Sequence, residues 1–409
     1  MTTSKNEKMA DKVVWVINQF AGTPESGWGE RHFYFSKYWI KQGYKVRIIS
    51  GSFNHMFKKM PDVTGLYKHE VYEDVDFYWV KTPKYDPRSV KRFFSMLVFM
   101  WRVLRLPVKE LGKPDTIIVS SMPIFPIYSG IRLKKKFGAK LLFEIRDIWP
   151  LTLQLLGNKS AGHPAVRFIG WFEKIGYRKS DRVVSLLPNA KEHIEEVAGK
   201  KVDFHYVPNG IDPSLLKHEP LAEELKSQIP TGKFIVGYAG TLGLANALEF
   251  LVEASNMLKD HKDIYFVIVG EGYLKEELME SVKGNNNILF LPKIPKNQIQ
   301  DLLTYFDACF VGRNDTPLFK HGVSANKYFD YMLAGKPILD SNNYIKDPVE
   351  LSGCGIIVKP DSAAAIKEGV LKLYEMKEED RQNLGSLGKD YVIKNHAICS
   401  LADKYLKLF

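Results

Sequence analysis

Residues 308–337 constrain the fold more than any other stretch of the sequence. An apolar run at 308–311 is typical of a buried parallel strand, and a polar loop without apolar periodicity follows it. Ser324 is expected to cap a helix, because apolar residues recur after it at helical spacing as far as Gly335. Pro337 then opens a second apolar run, which indicates another buried strand. This order of elements predicts an open, parallel α/β sheet.

The loop and first helical turn of this stretch have the chemistry of an anion site. Free backbone amides and the helix dipole attract a phosphate at a helix N-terminus, and Lys327 adds a full positive charge there. Asp330, about a turn and a half into the helix, is placed to accept hydrogen bonds from hydroxyl groups. A carboxylate beside a diphosphate indicates a ribose, so the stretch predicts a nucleotide-sugar site. A capped surface helix of an α/β core is the alternative.

The same residues resemble the donor-binding segment of family 4 glycosyltransferases, which are retaining enzymes of the GT-B fold. That segment carries two glutamates, the second just before an ending of small residues, glycine and proline. Asp330 matches the second acid, whereas Gly322 stands where the first is expected. The sequence of residues 324–332, Ser-Ala-Asn-Lys-Tyr-Phe-Asp-Tyr-Met, more closely resembles a bacterial polysaccharide branch of the family that includes N-acetylfucosamine transferases.

The composition is that of a globular protein. The chain has 409 residues, of which 45% are hydrophobic and 26% charged, so it is long enough for two or three domains. No apolar run reaches the length of a membrane-spanning helix, and residues 1–12 are polar and lack the core of a signal peptide. Three widely spaced cysteines predict neither a disulfide framework nor a zinc site. A cytoplasmic protein is therefore expected.

Positive charge is concentrated in the first half of the chain. Residues 1–212 contain 35 Lys and Arg against 21 Asp and Glu, whereas the remainder is nearly neutral. A basic half attracts nucleic acid, anionic lipid or phosphorylated substrates. Nucleic acid is the least favoured of these partners, because the sequence has no RNA-binding, helix-turn-helix or zinc signature and its basic residues are not striped.

Each half of the chain opens with a strand, a glycine-bearing loop and a helix. The first of these units runs from 12 to 50, and the second starts with the strand at 234–239 and the loop at 240–243. The resemblance implies that these units belong to two Rossmann-like domains facing each other across a cleft. It assigns residues 1–210 to an acceptor-binding domain and 211–389 to a nucleotide-sugar-binding domain. Residues 390–409 are expected to form a helix that crosses back to the first domain.

The resemblance also implies binding residues in both domains. Gly27, Gly29 and Arg31 are candidate contacts for an acceptor phosphate. Many relatives carry an arginine and a lysine in the second glycine loop, and Arg313 and Lys327 are the replacements expected here. The donor is expected to contact residues in the glycine loops, near the nucleotide base and in the 308–337 stretch: Gly240, Thr241, Gly243, Gly270, Glu271, Ile294, Arg313, Ser324, Asn326 and Asp330.

The candidate catalytic residues are Arg146, Asp147 and Lys327. The first two follow a predicted buried strand at 140–144, and α/β sheets place their chemistry at such strand ends. Asp147 is a candidate to take the proton of an acceptor hydroxyl and Arg146 to orient it, while Lys327 neutralises the leaving diphosphate. A purely structural Arg–Asp pair is the alternative. No metal and no cofactor is expected, because lysine and arginine carry the positive charge.

Residues 88–106 mix five basic residues with an apolar block that is too short and too basic to span a bilayer. Such a segment suits a helix lying on an anionic membrane surface. A core helix with solvated basic ends explains the composition equally well. A polyprenyl-linked acceptor, which the resemblance implies, favours the membrane.

These observations predict a retaining, metal-independent glycosyltransferase of the hexosyltransferase type. It is expected to move a sugar, N-acetylated by resemblance, from a UDP-sugar to a polyprenyl-diphosphate-linked glycan in O-antigen or capsule synthesis. The protein is expected at the inner face of the cell membrane, which it contacts through 88–106. A UDP-sugar 2-epimerase of the same fold and a non-catalytic scaffold that binds nucleotide sugars remain alternatives.

Overall fold

A computed structural model describes residues 12–87, 89–155, 157, 159–213 and 219–409. Arg88, which belongs to the segment predicted to contact a membrane, lies outside these residues. The chain divides into two units, one containing the described residues up to Pro208 together with Ile398–Phe409 and the other Asn209–Ala397. The corresponding predicted boundaries are residues 210 and 390.

The first unit is built on an eight-stranded sheet. Its strands are β1 (Val13–Ile17), β2 (Lys45–Gly51), β3 (Tyr67–Tyr72), β4 (Val75–Val80), β5 (Thr116–Ser120), β6 (Lys140–Ile145), β7 (Arg182–Ser185) and β8 (Phe204–Tyr206). They lie in the order β3-β4-β2-β1-β5-β6-β7-β8. All neighbours are parallel except β3 and β4, which form an antiparallel edge. The central strands are buried apolar runs, as a sheet covered on both faces requires.

Helices cover both faces of this sheet. They are α1 (Arg31–Lys41), α2 (Val90–Val103), α3 (Val108–Leu111), α4 (Pro126–Phe137), α5 (Leu151–Leu155), α6 (Pro164–Lys179) and α7 (Lys191–Ala198). The buried sides of α2, α4, α6 and α7 share one core cluster with β1, β5 and β6. The buried side of α1 belongs to a second cluster on the opposite face.

The second unit is a six-stranded, fully parallel sheet. Its strands are β9 (Phe234–Ala239), β10 (Ile264–Val269), β11 (Ile288–Leu291), β12 (Ala308–Gly312), β13 (Ile338–Ser341) and β14 (Gly355–Val358). They lie in the order β11-β10-β9-β12-β13-β14. The chain order reverses direction between β9 and β12. Such a switch point is where open α/β sheets bind ligands, at the carboxyl ends of the strands.

The helices of the second unit also lie on both faces of its sheet. They are α8 (Glu223–Lys226), α9 (Leu248–Met257), α10 (Lys275–Ser281), α11 (Ile299–Thr304), α12 (Asn326–Leu333), α13 (Pro348–Ser352), α14 (Ala363–Glu375) and α15 (Glu378–His396). α9 and α14 share one core cluster, and α11, α12 and α15 contribute to the other. Both units are parallel-sheet α/β structures, so the predicted fold class is confirmed.

A last helix, α16 (Ile398–Leu406), packs in the first unit. The sequence predicts one helix over 390–409, which is wrong, because extended backbone at Ala397 separates α15 from α16. Ile211 bridges Ala397 in parallel fashion, and the amide of Ile211 donates to the carbonyl of His396. A contact distant in sequence therefore ends the helix.

Candidate functional site

The switch point of the second sheet brings three loops together. β12 pairs with β9, so the loop at Gly240 and the residue that follows β12, Arg313, lie at the same edge. α12 begins nearby with Asn326 and Lys327 in its first turn. A Cβ atom added to Gly240 would lie 3.5 Å from Nζ of Lys327. The glycine loop and the helix N-terminus, predicted separately from sequence, are neighbours.

Lys327 and Arg313 share one neutral acceptor. Nζ of Lys327 donates to Oδ1 of Asn246 at 2.6 Å, and Nη1 of Arg313 donates to the same oxygen at 2.8 Å. Lys327 also donates to the hydroxyl of Tyr238 at 3.0 Å, with Nζ 4.4 Å from the centre of that ring. Neither cation forms an ion pair within the described residues. Two positive charges therefore converge without a carboxylate between them.

The environment of Lys327 disfavours its charged form. Burial lowers the pKa of Lys327 well below its ordinary value, and the guanidinium of Arg313 lowers it further. Asp340 opposes this shift but does not contact the ammonium group. An anion bound between Lys327 and Arg313 would relieve the repulsion, so the arrangement is that of a site for a phosphate or diphosphate.

The neighbouring loops contain glycines for different physical reasons. Gly270 has a φ of +152°, and a Cβ atom there would lie 1.8 Å from the carbonyl oxygen of Gly240. Gly270 is therefore required for the two loops to pack. A Cβ atom at Gly243 would approach the ring of Tyr273 at 3.3 Å. Thr241 is exposed, and its carbonyl accepts from Tyr238 and Asn246. Lys327 contacts both of these residues, so the loop borders the basic pair Lys327 and Arg313, here named the cation site.

Asp330 carries an unusual carboxylate. The residue is partly buried, and its side chain makes no hydrogen bond within the part of the chain that the structure describes. Burial raises the pKa of Asp330 to about 6, with Lys296 opposing the shift. Unsatisfied acceptors that remain accessible are well suited to bind ligand hydroxyl groups.

The other predicted donor contacts are less uniform. Ile294 is buried, and its N–H and C=O form no hydrogen bond among the described residues. Glu271 is exposed and pairs with Lys275 at 2.6 Å, and Asn326 is also exposed.

Ser324 does not cap α12, so that prediction is wrong. Ala325 is the N-cap residue and forms no side-chain hydrogen bond. The hydroxyl of Ser324 instead accepts from the amide of Asn209 at 2.8 Å, and its carbonyl accepts from the side chain of Asn209 at 2.8 Å. The first amides of α12 therefore receive no side-chain cap, which leaves them available to an anion.

A buried polar network supports α12 from behind. The hydroxyl of Tyr328 donates to Asp340 at 2.7 Å and lies 2.9 Å from that of Tyr344. Asp347 caps α13 by accepting from two backbone amides, which favours its charged form. Burial raises the pKa of Asp340 well above its ordinary value, with Asp347 raising it further, and burial also raises the pKa of Asp347. The network fixes the position of Tyr328, which is the residue next to Lys327.

The predicted acceptor contacts in the first unit have structural roles. Arg31 is buried and donates to Glu144 at 3.2 Å and to the carbonyl of Val207 at 2.8 Å, so its guanidinium is not presented to a ligand. Gly27 and Gly29 adopt φ values of +69° and +79°. A Cβ atom at Gly29 would lie 2.1 Å from the carbonyl oxygen of Phe20, so folding of the loop alone requires this glycine.

Glu144, at the end of β6, is the centre of the charge cluster that contains Arg31. Burial alone would raise the pKa of Glu144, but Arg31, His32 and the hydroxyl of Tyr405 hold it well below its ordinary value. Nε2 of His32 lies 3.1 Å from Glu144, and burial lowers the pKa of this histidine. Sequence reasoning assigned the chemistry of this strand end to Arg146 and Asp147 and missed Glu144. The available signal was an acidic residue within an otherwise apolar run at 141–145.

Arg146 and Asp147 follow β6 but do not form an ion pair with each other among the described residues. The structural Arg–Asp pair considered from sequence is therefore not formed. Asp147 is exposed just after the end of β6, which leaves its carboxylate accessible.

The acidic string Asp74-Val75-Asp76 lies where the chain turns from β3 into β4. Val75 opens β4, and Asp76 pairs with Arg47 and His69. Within the described ranges, no group of three His, Cys, Asp or Glu side chains is arranged to hold a metal ion.

Two family models match successive parts of the chain. The model described as Glycosyltransferase Family 4 matches residues 29–215, and the model described as Glycosyl transferases group 1 matches residues 222–391. Both models describe glycosyltransferases, and together their matches span most of the chain. The boundary between the two matches falls close to the boundary between the two structural units. The cation site of the second unit lies within the group 1 match.

Sequence relatives of this glycosyltransferase are distant. A protein of Escherichia coli named as a candidate colanic acid biosynthesis glycosyl transferase, WcaI, is 25% identical over 283 residues. The match covers 66% of this chain and 69% of WcaI.

Solved glycosyltransferase structures share the fold over nearly the whole chain. Sucrose-phosphate synthase from Thermosynechococcus elongatus has a TM-score of 0.70 at 15% identity and covers 97% of this chain and 98% of its own. Anabaena HepE, solved in complex with UDP and glucose, has a TM-score of 0.67 at 13% identity, with coverage of 97% and 99%. These similarities establish the GT-B fold.

Proposed function

We propose that this glycosyltransferase is a retaining enzyme that transfers a sugar from a UDP-sugar to a lipid-diphosphate-linked glycan. The transferred sugar is N-acetylated in this proposal, and the product enters a surface polysaccharide such as O-antigen or capsule. One observation carries the donor assignment. Lys327 and Arg313 converge on Asn246 at the N-terminus of α12, beside Gly240 and without a carboxylate partner in the described chain.

The donor fits this site by charge and by hydrogen bonding. The diphosphate lies between Lys327, Arg313 and the uncapped amides of α12, which neutralise the negative charge that develops as the sugar departs. Asp330 accepts hydrogen bonds from the ribose hydroxyls. The backbone N–H and C=O of Ile294 read the edge of the base. Two fixed cations supply the electrostatic stabilisation, so the proposed reaction proceeds without a metal ion.

The proposed chemistry retains the configuration of the sugar. The departing diphosphate oxygen draws the proton of the acceptor hydroxyl, which attacks the anomeric carbon from the same face. The bond between the anomeric carbon and the diphosphate oxygen breaks, and the bond to the acceptor oxygen forms. Asp147 positions the acceptor hydroxyl and Arg146 orients the acceptor phosphate, in this proposal without a covalent intermediate.

The relatives support the substrate classes. HepE was solved with UDP and glucose, and WcaI carries a name from colanic acid biosynthesis, which is the synthesis of a polysaccharide. A lipid-linked acceptor places the enzyme at the inner face of the cell membrane. No helix in the described ranges is long and apolar enough to cross a bilayer. The proposed association is therefore peripheral.

Calorimetric titration with UDP tests the donor site. Wild-type protein is expected to bind UDP equally well with and without magnesium. Asp330→Asn is expected to weaken binding about tenfold, since hydrogen bonds to a charged group contribute roughly 1.5–3 kcal/mol. The amide preserves the shape of the side chain. Asp260→Asn, at an exposed position in the same unit, is the matched control and is expected to bind as wild type.

The outcomes separate the proposed enzyme from its alternatives. Equal UDP affinity of Asp330→Asn and wild type would reject the ribose assignment, and binding of GDP or dTDP in place of UDP would reject the proposed nucleotide. With a UDP-sugar and a polyprenyl-diphosphate glycan, the proposed enzyme releases UDP and forms a product whose anomeric configuration matches that of the donor. A sugar inverted at C2 would identify an epimerase instead.

A further inference from the structure

One face of the first unit combines exposed aromatic side chains with helices that are almost free of acidic residues. This face, here named the three-helix face, consists of the outward sides of α2, α4 and α6. Neither α2 nor α4 contains an aspartate or glutamate. Glu173, the acid of α6, is buried, accepts from the hydroxyl of Tyr177 and lies 3.0 Å from Nε2 of His193. The outward surface of these helices therefore carries no negative side chain.

The three helices form a continuous surface. The ring of Trp101 on α2 lies 5.8 Å from that of Tyr128 on α4. The ring of Phe93 on α2 lies 6.0 Å from that of Phe168 on α6. The inward sides of all three helices belong to the same core cluster, so their outward sides face the same direction.

Large apolar side chains project from two of these helices. Phe94 and Trp101 on α2 are 59% and 53% exposed, and Phe168 and Trp171 on α6 are 44% and 50% exposed. A single exposed aromatic residue is ordinary, whereas four on neighbouring helices form a patch that indicates an interaction surface. Phe168 and Trp171 lie outside the segment that the sequence identified.

Basic residues surround these aromatic side chains. They are Lys91 and Arg105 at the two ends of α2, Arg132 and Lys135 on α4, and Arg167 and Lys174 on α6. All six are exposed, and none forms an ion pair within the described part of the chain. The charge of the face is thus uniformly positive and available to an external partner.

We propose that the three-helix face docks on an anionic lipid bilayer, with its aromatic side chains at headgroup depth. Lysine and arginine complement lipid phosphates, while tryptophan and phenylalanine favour the boundary between headgroups and acyl chains. A second copy of the same face would bring like charges together, so self-association does not satisfy this pattern. The inference rests on the proposed function only in that a lipid-linked acceptor would be presented at this surface.

Co-sedimentation of the full-length protein with vesicles tests the inference. The vesicles contain phosphatidylcholine alone or with phosphatidylglycerol. Two double variants probe α6, which sequence composition did not identify: Phe168→Ser with Trp171→Ser, and Arg167→Gln with Lys174→Gln. Lys200→Gln with Lys201→Gln removes the same charge from an exposed loop and serves as the control. UDP titration of every protein monitors folding and the donor site.

Wild type and control are expected to sediment with anionic vesicles and to remain in solution with neutral ones. The variant lacking Arg167 and Lys174 is expected to partition roughly 25-fold less, since each basic residue near an anionic surface contributes about fivefold. The variant lacking Phe168 and Trp171 is expected to partition roughly tenfold less, since it removes two apolar side chains from the boundary between headgroups and acyl chains. UDP affinity is expected to be the same in all four proteins. This independence separates the docking inference from the donor assignment, because loss of UDP binding alone would reject only the latter.

Three results would overturn the inference. In the first, the α6 variants sediment with anionic vesicles as wild type does. In the second, wild type binds neutral and anionic vesicles equally. In the third, wild type does not bind vesicles and elutes as a dimer that the α6 variants disrupt. The last result would assign the face to a second copy of the chain.

Discussion

Lys327 is the residue on which the donor assignment depends most. Its ammonium group already donates to Asn246 and Tyr238, and the remaining N–H is available to a ligand. Burial and the nearby Arg313 both penalise its charge in the free protein. A bound diphosphate reverses the effect of these neighbours, because it adds negative charge where the site has none. Binding of the donor and protonation of Lys327 are therefore coupled.

This coupling predicts that UDP binding takes up protons. The pKa of Lys327 is lowered in the free protein and raised by the bound diphosphate, so affinity is highest below the free-state pKa and falls as pH rises through it. Calorimetry over a pH series, with two buffers of different ionisation enthalpy at each pH, measures the uptake. Lys327→Met is expected to abolish it and to weaken binding. Lys275→Met, at a lysine paired with Glu271, is expected to retain it. Undiminished uptake in Lys327→Met would assign the proton to another group.

At the residue scale, sequence singled out the charged residues of the candidate site but not the neutral residues that contact them. Arg313, Lys327 and Asp330 belong to one short stretch whose polar loop and helix start are recognisable. Tyr238 lies in a buried strand, where an aromatic residue needs no function to explain it. Asn246 is 81 positions from Lys327, and the sequence contains nothing that pairs the two. Their roles arise only from the parallel pairing of β9 with β12.

At the element scale, α16 is held to the first unit by an aromatic cluster and by the buried Glu144. The rings of Trp39 and Tyr405 lie 5.5 Å apart, and Trp39 and Phe409 lie 5.1 Å apart. The hydroxyl of Tyr405 donates to Glu144, which Arg31 also contacts. Because Glu144 is fully buried, each of its donors is needed to compensate for the loss of water.

Tyr405→Phe is therefore expected to lower the free energy of unfolding by about 2 kcal/mol, the range of hydrogen bonds to charged groups. Tyr38→Phe removes a bond between α1 and α16 as well, since the hydroxyl of Tyr38 donates to Asp403 at 2.9 Å in an exposed position. That control is expected to cost less than about 0.5 kcal/mol. Urea unfolding followed by circular dichroism measures both. Equal losses would show that burial of Glu144 does not set the strength of this contact.

Sequence predicted the elements themselves well where local pattern determines them. β9 is an uninterrupted apolar run before a glycine loop, and its predicted bounds coincide with the structure. The cap of α12 and the division between α15 and α16 were wrong. The amide of Asn209 donates to the hydroxyl of Ser324, and the amide of Ile211 donates to the carbonyl of His396. Both errors arise from contacts of the 209–211 segment, whose partners are more than a hundred positions away.

At the scale of the whole molecule, charge and chemistry are divided between the two units. The first carries the excess of basic residues and the three-helix face, while the second is nearly neutral and carries the cation site. All described contacts of Lys327, Arg313 and Asp330 lie between residues 209 and 397. The second unit also has two core clusters and a complete six-stranded sheet of its own. These features are those of a domain that folds and binds its ligand independently.

A protein consisting of residues 209–397 is therefore expected to unfold cooperatively and to bind UDP with an affinity within about threefold of the full chain, a difference below 1 kcal/mol. It is expected to transfer no sugar, because Arg146 and Asp147 belong to the first unit. Urea unfolding and calorimetry measure the two properties, and Lys327→Met in the same fragment is the control for site-specific binding. A fragment that unfolds cooperatively but does not bind UDP would mean that the donor site needs groups from the first unit. The cation pair of Lys327 and Arg313 would then be only part of that site.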